Sequence, residues 1–249
     1  VQDLRTLKRE CLYGTPEADE ILYNRHYVTG YSYYFRQPKW VLEIINPSVI
    51  DIDPETDVDR QDHFRKDFRV PTKFRAEKTD FRGSGFDRGH MVASANQRSV
   101  EIQNSETFLL TNMSPQYPAL NRRVWADLEN AVRQKNAEKS VLETFCVTGP
   151  LFFFDQPIIT IGTKDANDVT IPVPHAFFKS ILTENDKGKF YMWSFVMENK
   201  KDMDRKPLSE YQVTTDMIET IAGIELWKGL HGKYINWEKN RVRKMWKVK

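Results

Sequence analysis

Gly83-Ser84-Gly85-Phe86-Asp87-Arg88-Gly89-His90 is followed by Thr111-Asn112-Met113-Ser114-Pro115-Gln116 and then by the run Asn121-Arg122-Arg123-Val124-Trp125-Ala126-Asp127-Leu128-Glu129, closed by Arg133. The glycines before Phe86 let the backbone turn sharply, and a histidine beside an arginine sets an imidazole where positive charge is already supplied for a phosphate. On a helix, Asn121, Trp125, Glu129 and Arg133 step by four, so they lie along one slowly drifting stripe. That stripe offers a carboxamide oxygen, a carboxylate and a guanidinium. Phosphodiester cleavage needs such a set: a hard oxygen ligand for a magnesium-type cation, an acceptor for metal-bound water, and a cation for the charge on pentacovalent phosphorus. Each residue also has a plainer reading. Asn121 suits a helix cap, Glu129 and Arg133 suit an exposed i,i+4 ion pair worth a few tenths of a kcal/mol, and Trp125 suits the core on either reading.

Outward from this segment, the chain reads as one domain of 249 residues, without repeats or a low-complexity linker. Tyr27 to Phe35 and Lys39 to Asn46 are rich in Tyr, Trp and β-branched residues and predict two early strands separated by Gln37-Pro38. A charged loop follows from Asp51 to Asp67, and Phe81 to Gly85 reads as a tight turn. Thr107 to Leu110 predicts a short buried strand, and Arg122 to Gln134 a helix with Asn121 at its start. Further strands are expected at Val141 to Thr148, Val169 to Val173, Phe190 to Met197 and Glu210 to Val213, and a helix at Thr215 to Ala222. Strands outnumber helices without alternating with them, which favours an α+β fold around a largely antiparallel sheet. The 37 Lys and Arg residues nearly balance the 35 Asp and Glu residues, so the net charge of +2 makes no case for nucleic acid and the distribution must. No run of eighteen apolar residues is present, so no membrane span is expected. Cys11 and Cys146 are too few for a disulfide framework or a cysteine zinc site.

The Asp87-Arg88-Gly89-His90 run, Asn112 within Asn-Met-Ser-Pro-Gln, and the Asn121 to Glu129 helix resemble the ββα-metal, sugar-non-specific DNA/RNA endonuclease family. The likeness extends from about Trp40, through Arg60-Gln61-Asp62-His63-Phe64-Arg65, to the Thr148-Gly149-Pro150 turn. It implies a central, mostly antiparallel sheet flanked by helices, with the site built from two strands and a crossing helix. It also implies that His90 takes the proton from the attacking water, that Asn121 is the single direct ligand of the metal, and that Glu129 holds metal-bound waters. Arg88, Arg133 and Arg60 correspond to the family's charged residues around the phosphate, with Asp87 counted beside them on the substrate side, and Asn112 to a supporting asparagine of the catalytic set. One neutral oxygen ligand plus water suits Mg²⁺, with Mn²⁺ as the alternative. The expected substrates are DNA and RNA, cut to leave 5′ phosphates. A homodimer rests on the resemblance alone, as does a secreted or periplasmic location with a mitochondrial alternative.

Two other functions are consistent with these residues: a narrower enzyme of the same superfamily, structure-selective or a 5′ exonuclease, and a nucleic-acid-binding protein without catalysis, against which His90, Asn121 and Glu129 argue. From Lys233 to Lys249 the chain interleaves basic residues with Trp237, Met245 and Trp246. Such a tail either follows a phosphate backbone while stacking on bases or docks its tryptophans on the body and leaves its charges in water, and docking is favoured. The tail matches nothing in the family pattern.

Overall fold

Alternating apolar residues in the first third of the chain build a hairpin that grows into the main sheet. The computed structural model describes residues 8–45, 58–162 and 170–248. In chain order the strands are β1 (Glu20–Tyr23), β2 (Tyr27–Ser32), β3 (Gln37–Ile44), β4 (Asp87–His90), β5 (Met113–Gln116), β6 (Val141–Leu151), β7 (Thr160–Ile161), β8 (Ile171–Pro172), β9 (Ala176–Asn185), β10 (Phe190–Glu198) and β11 (Gln212–Val213). The α-helices are α1 (Glu101–Glu106), α2 (Trp125–Asn136), α3 (Thr215–Ala222) and α4 (Lys233–Lys239). Seven strands form one sheet in the order β1-β2-β3-β6-β9-β10-β11, with every adjacent pair antiparallel. Two short ribbons, β4-β5 and β7-β8, stand apart from it.

Side chains alternate between the faces of a strand, and here each face has its own cover. Trp40, Leu42, Phe145, Val147, Phe178 and Leu182 pack against Ile218, Trp227 and Ile235 of the C-terminal third. Val41, Cys146, Phe177, Ile181 and Phe195 pack against Leu120, Val124, Trp125, Leu128 and Val132 along the first part of the crossing helix and α2. The site-bearing helix is therefore fixed on one face of a fully antiparallel sheet. Cys11 and Cys146 are both free and lie in the cores on opposite faces.

The α+β reading and the largely antiparallel sheet stand, with local corrections. Pro38 lies inside β3, where a register shift between Gly30 and Tyr31 accommodates it. Thr107 to Leu110 is a turn and not a strand: its one β-bridge is a parallel contact of Leu109 with Arg65, and Leu110–Asn112 is a 3₁₀ turn. Strands at the C-terminal side shrink to Ile171–Pro172 and Gln212–Val213. Asn46, Val169 and Asp51 to Asp57 fall outside the described residues. β9 went unread: buried on both faces, it has no alternation, and Lys179 interrupts its apolar run. The tail docks: Trp246 Nε1 donates to Ala131 O on α2 at 3.0 Å, and Trp193 Nε1 donates to Lys244 O at 3.1 Å. Trp237 stays half exposed beneath the Arg241 guanidinium, 4.1 Å from its ring. No helix among the described residues is long and apolar enough to cross a membrane.

Candidate active site

The β4-β5 ribbon presents the histidine. Gly83 and Gly85 hold φ of 69° and 83°, left-handed values that glycine adopts without strain, and they turn the chain into β4. Across the ribbon His90 is opposite Met113 and Gly89 opposite Ser114. A Cβ on Gly89 would lie 2.1 Å from Gln116 Oε1, so glycine lets the Gln116 side chain pack directly against the strand next to the histidine. Asn112 staples the ribbon's exit. Its Oδ1 accepts the Val92 N–H at 2.9 Å, and its Nδ2 donates to Val92 O and Thr107 O at 3.0 and 2.9 Å. The side chain is fully buried and every polar atom of its amide is engaged with backbone.

Aromatic rings seat the charged groups. The His90 ring stands edge to face with Phe108 at 4.9 Å and lies 5.8 Å from Phe64. The Arg60 guanidinium covers Phe108 at 4.9 Å, while Arg88 lies over Phe64 at 5.0 Å and Phe81 at 5.9 Å. Such contacts orient a cation without cancelling its charge. Burial, reinforced by the nearby Arg60 charge, drives the His90 imidazole down from its ordinary 6.5 to about 3. It is neutral at physiological pH, and its buried Nε2 has no hydrogen-bond partner.

The crossing helix starts earlier than the sequence suggests. Asn121 is not its cap but lies inside a π turn, Leu120–Val124, that runs directly into α2, and its own N–H already bonds to Tyr117 O. This alters the stripe. Eight residues of uninterrupted α-helix would rotate Asn121 and Glu129 roughly 80° apart, and the wider π turn takes back much of that rotation, leaving Trp125 on the core side. Inserted turns of this kind frequently sit at functional sites.

Asp87 organises the near end of the helix. Its Oδ2 accepts from Asn121 Nδ2 at 2.9 Å, and its two oxygens accept from Arg122 Nε and NH2 at 2.8 and 2.7 Å. Burial alone would raise the Asp87 carboxyl, but these bonds hold it below its ordinary value. Asp87, expected on the substrate side, is thus occupied in pinning Asn121. Glu129 is pushed up by burial and drawn back by Lys179, Arg133 and Arg60. Arg60, exposed in a mixed-charge segment, lowers both His90 and Glu129 through its charge. Arg133 does not close the surface ion pair with Glu129; its NH1 donates to Asn96 Oδ1 at 3.0 Å. Arg65 turns away to Ser105 O.

Beneath α2, burial lifts the Glu43 carboxyl from 4.5 to about 7 against the pull of Lys179 and the amides of Asn96 and Gln97. Its pH linkage opposes that of His90. Below pH 6.5 the unfolded chain protonates its histidine while folded His90 does not, so stability falls on acidification; above 4.5 the unfolded chain loses the Glu43 proton first, so stability falls as pH rises toward 7. Between about pH 5 and 6.5 the two slopes cancel. Urea unfolding of Glu43→Gln should therefore expose the histidine slope, losing about 2 kcal/mol on acidification across that range at ~1.4 kcal/mol per unit. His90→Ala should show the opposite slope. Wild-type profiles in both variants would refute the assignment.

The structure connects His90, Arg60, Arg88, Asp87, Asn121, Glu129 and Arg133 around one ribbon and one helix. Sequence reading missed the Phe64, Phe81 and Phe108 seats and the Asp87 clasp. Aspartate beside arginine in a turn carried a charge signal, but the three phenylalanines carried none.

A histidine-bearing ribbon crossed by a helix that carries Asn121 and Glu129, set on an antiparallel sheet, defines the ββα-metal nuclease fold. The chain belongs to the DNA/RNA non-specific endonuclease family, whose model matches residues 11–233, and it is a nucleic-acid-cleaving hydrolase. It is 33% identical to mitochondrial endonuclease G of Caenorhabditis elegans over 90% of this chain and 73% of that protein. With human mitochondrial endonuclease G it shares 32% over 85% and 71%, and with nuclease C1 of Cunninghamella echinulata 30% over 88% and 87%. Its fold superimposes on a chain of the crystal structure of the EndoG/EndoGI complex, a structure concerned with EndoG inhibition, with a TM-score of 0.82 at 32% identity over 93% of this chain and 94% of the other. The tail beyond Lys233 lies outside the family match.

Proposed function

We propose that the protein cuts DNA and RNA internally in a metal-dependent hydrolysis, with His90 as general base and 5′-phosphate products. The observation that carries this reading is the state of His90: neutral at physiological pH, with Nε2 unpartnered and cations on aromatic seats beside it. A general base must be unprotonated and within reach of its proton. His90 takes a proton from water as the water oxygen attacks phosphorus, and the bond to the 3′ oxygen breaks, so the phosphate stays on the 5′ side. Arg60, Arg88 and Arg133 supply oriented positive charge for the oxygens of the pentacovalent phosphorus. Gripping phosphate and leaving base edges unread makes cleavage indifferent to sequence and sugar.

The residues fit a hard cation. Asn121 Nδ2 is clasped by Asp87, and no hydrogen bond among the described residues uses its Oδ1. An amide oxygen and a carboxylate, without thiolates, suit Mg²⁺ or Mn²⁺ with most of their water retained. Asn121 would be the direct ligand and Glu129 would hold metal-bound water. When bound, the ion polarises the phosphoryl oxygen and stabilises the leaving 3′ oxygen. The mitochondrial names of several relatives support a mitochondrial location over a secreted or periplasmic one, which imaging of the tagged protein tests. The homodimer implied by the family is tested by sedimentation, where a monomer mass overturns it.

The deciding assay offers supercoiled plasmid and single-stranded RNA with magnesium or with EDTA. Metal-dependent loss of both is expected. A circle left intact by protein that degrades linear ends indicates an exonuclease, and binding without cleavage overturns the catalytic reading.

A further inference from the structure

Arg133 ends a chain of buried polar side chains beneath α2. Its NH1 donates to Asn96 Oδ1 at 3.0 Å, and Asn96 Nδ2 donates in turn to Glu43 Oε1 at 3.0 Å. Gln97 Nε2 donates to Glu43 Oε2 at 3.3 Å. Asn104 Nδ2 donates to Ser94 O and Gln97 O at 3.0 Å, and its Oδ1 accepts the Gln61 N–H at 2.8 Å. Glu43, Asn96, Gln97 and Asn104 are all buried. Apolar residues would fill such a layer at lower cost, since buried polar networks hold only when fully satisfied. Two members reach the site segments, Asn96 through Arg133 and Asn104 through Gln61, the neighbour of Arg60.

We propose that Asn96, oriented by Glu43, is a positioning residue that aims Arg133 at the scissile phosphate; this rests on the reading of Arg133 as a phosphate contact. The residue types suit that task. Glu43 Oε1 accepts from Asn96 Nδ2, which fixes the end of the amide that faces it and turns Oδ1 to the guanidinium. An amide holds the arginine without cancelling its charge, whereas a carboxylate in its place would compete with the phosphate. The carboxyl that orients the amide stands one side chain further back. Because one acceptor engages one N–H, the other guanidinium donors remain for substrate.

A double-mutant cycle tests the proposal with a short duplex substrate and magnesium, measuring kcat, KM and urea stability. Arg133→Ala, Asn96→Ala and Glu43→Gln are each expected to lower kcat about 10- to 100-fold, as misplacement of a charged group by about an ångström does, with KM changed much less. In the Arg133→Ala background, Asn96→Ala and Glu43→Gln should cost nothing further, because the group they aim is gone. Glu43→Gln keeps size and shape, so it carries the test if Asn96→Ala folds poorly. Equal factors in both backgrounds would mark a purely structural role and overturn the proposal while leaving Arg133 its phosphate contact. Arg133→Ala at the wild-type rate would overturn both.

Discussion

Cleavage by His90→Ala is expected to fall by about 10²–10⁴ in kcat, the usual contribution of a positioned general base, with metal binding unchanged. The ring is held by packing against Phe64 and Phe108, and its buried Nε2 bonds to nothing in the protein. Its removal therefore deletes no hydrogen bond and leaves Asp87, Asn121 and Glu129 in place. Folding at neutral pH should survive, with the modest cost of a cavity. Imidazole added to the variant should restore part of the rate, since the void matches the ring that made it. In the wild-type enzyme, kcat/KM reports the free base, whose pKa lies near 3 and not at 6.5. Because the base works only when unprotonated, the rate should stay level as pH falls through 6.5 and drop only in stronger acid, within the range where the fold persists. A variant that cuts plasmid at near wild-type rate would refute the assignment, and an inflection at 6.5 traced to His90 would refute its desolvated environment.

The site was legible where its chemistry is local in sequence. Asp87 to His90 combines turn glycines, charge and a histidine in one run, and Asn121, Glu129 and Arg133 share a helical spacing. The relation between these segments was not local. Nothing in the composition of Leu120–Val124 marks a π turn, which depends on how Leu120, Val124 and Trp125 pack on the sheet. Phe64, Phe81 and Phe108 carried no signal in the sequence because an aromatic seat exists only once three distant segments meet. Asn112 was legible as a motif member, but its work on the Val92 backbone emerges only from the ribbon. β9 was missed for the opposite reason: a central strand covered on both sides has no alternation to read, and its one buried lysine imitates a surface position.

Asn121→Ala is expected to remove both activity and its metal dependence, with a loss at least as large as that of His90→Ala. The amide does two things that alanine cannot. Its Nδ2 donates to Asp87, which fixes the side chain, and its Oδ1 is left as the hard oxygen ligand. Aspartate at this position would offer an oxygen but would set a second carboxylate against Asp87, whose charge is already stabilised by Arg122. This explains why a neutral amide serves here, and it predicts that Asn121→Asp recovers little. Asp87→Asn is the informative intermediate: it leaves the ligand atom in place but weakens its clasp, and loss of such a supporting bond costs about 10- to 100-fold in metal affinity or activity. Raising the metal concentration should then rescue Asp87→Asn but not Asn121→Ala. Mn²⁺ binding followed by electron paramagnetic resonance separates this from a folding defect: affinity should be lost in Asn121→Ala, weakened in Asp87→Asn and retained in His90→Ala. Wild-type Mn²⁺ affinity in Asn121→Ala would mean that the ion sits elsewhere, and the division of labour between ribbon and helix would have to be redrawn.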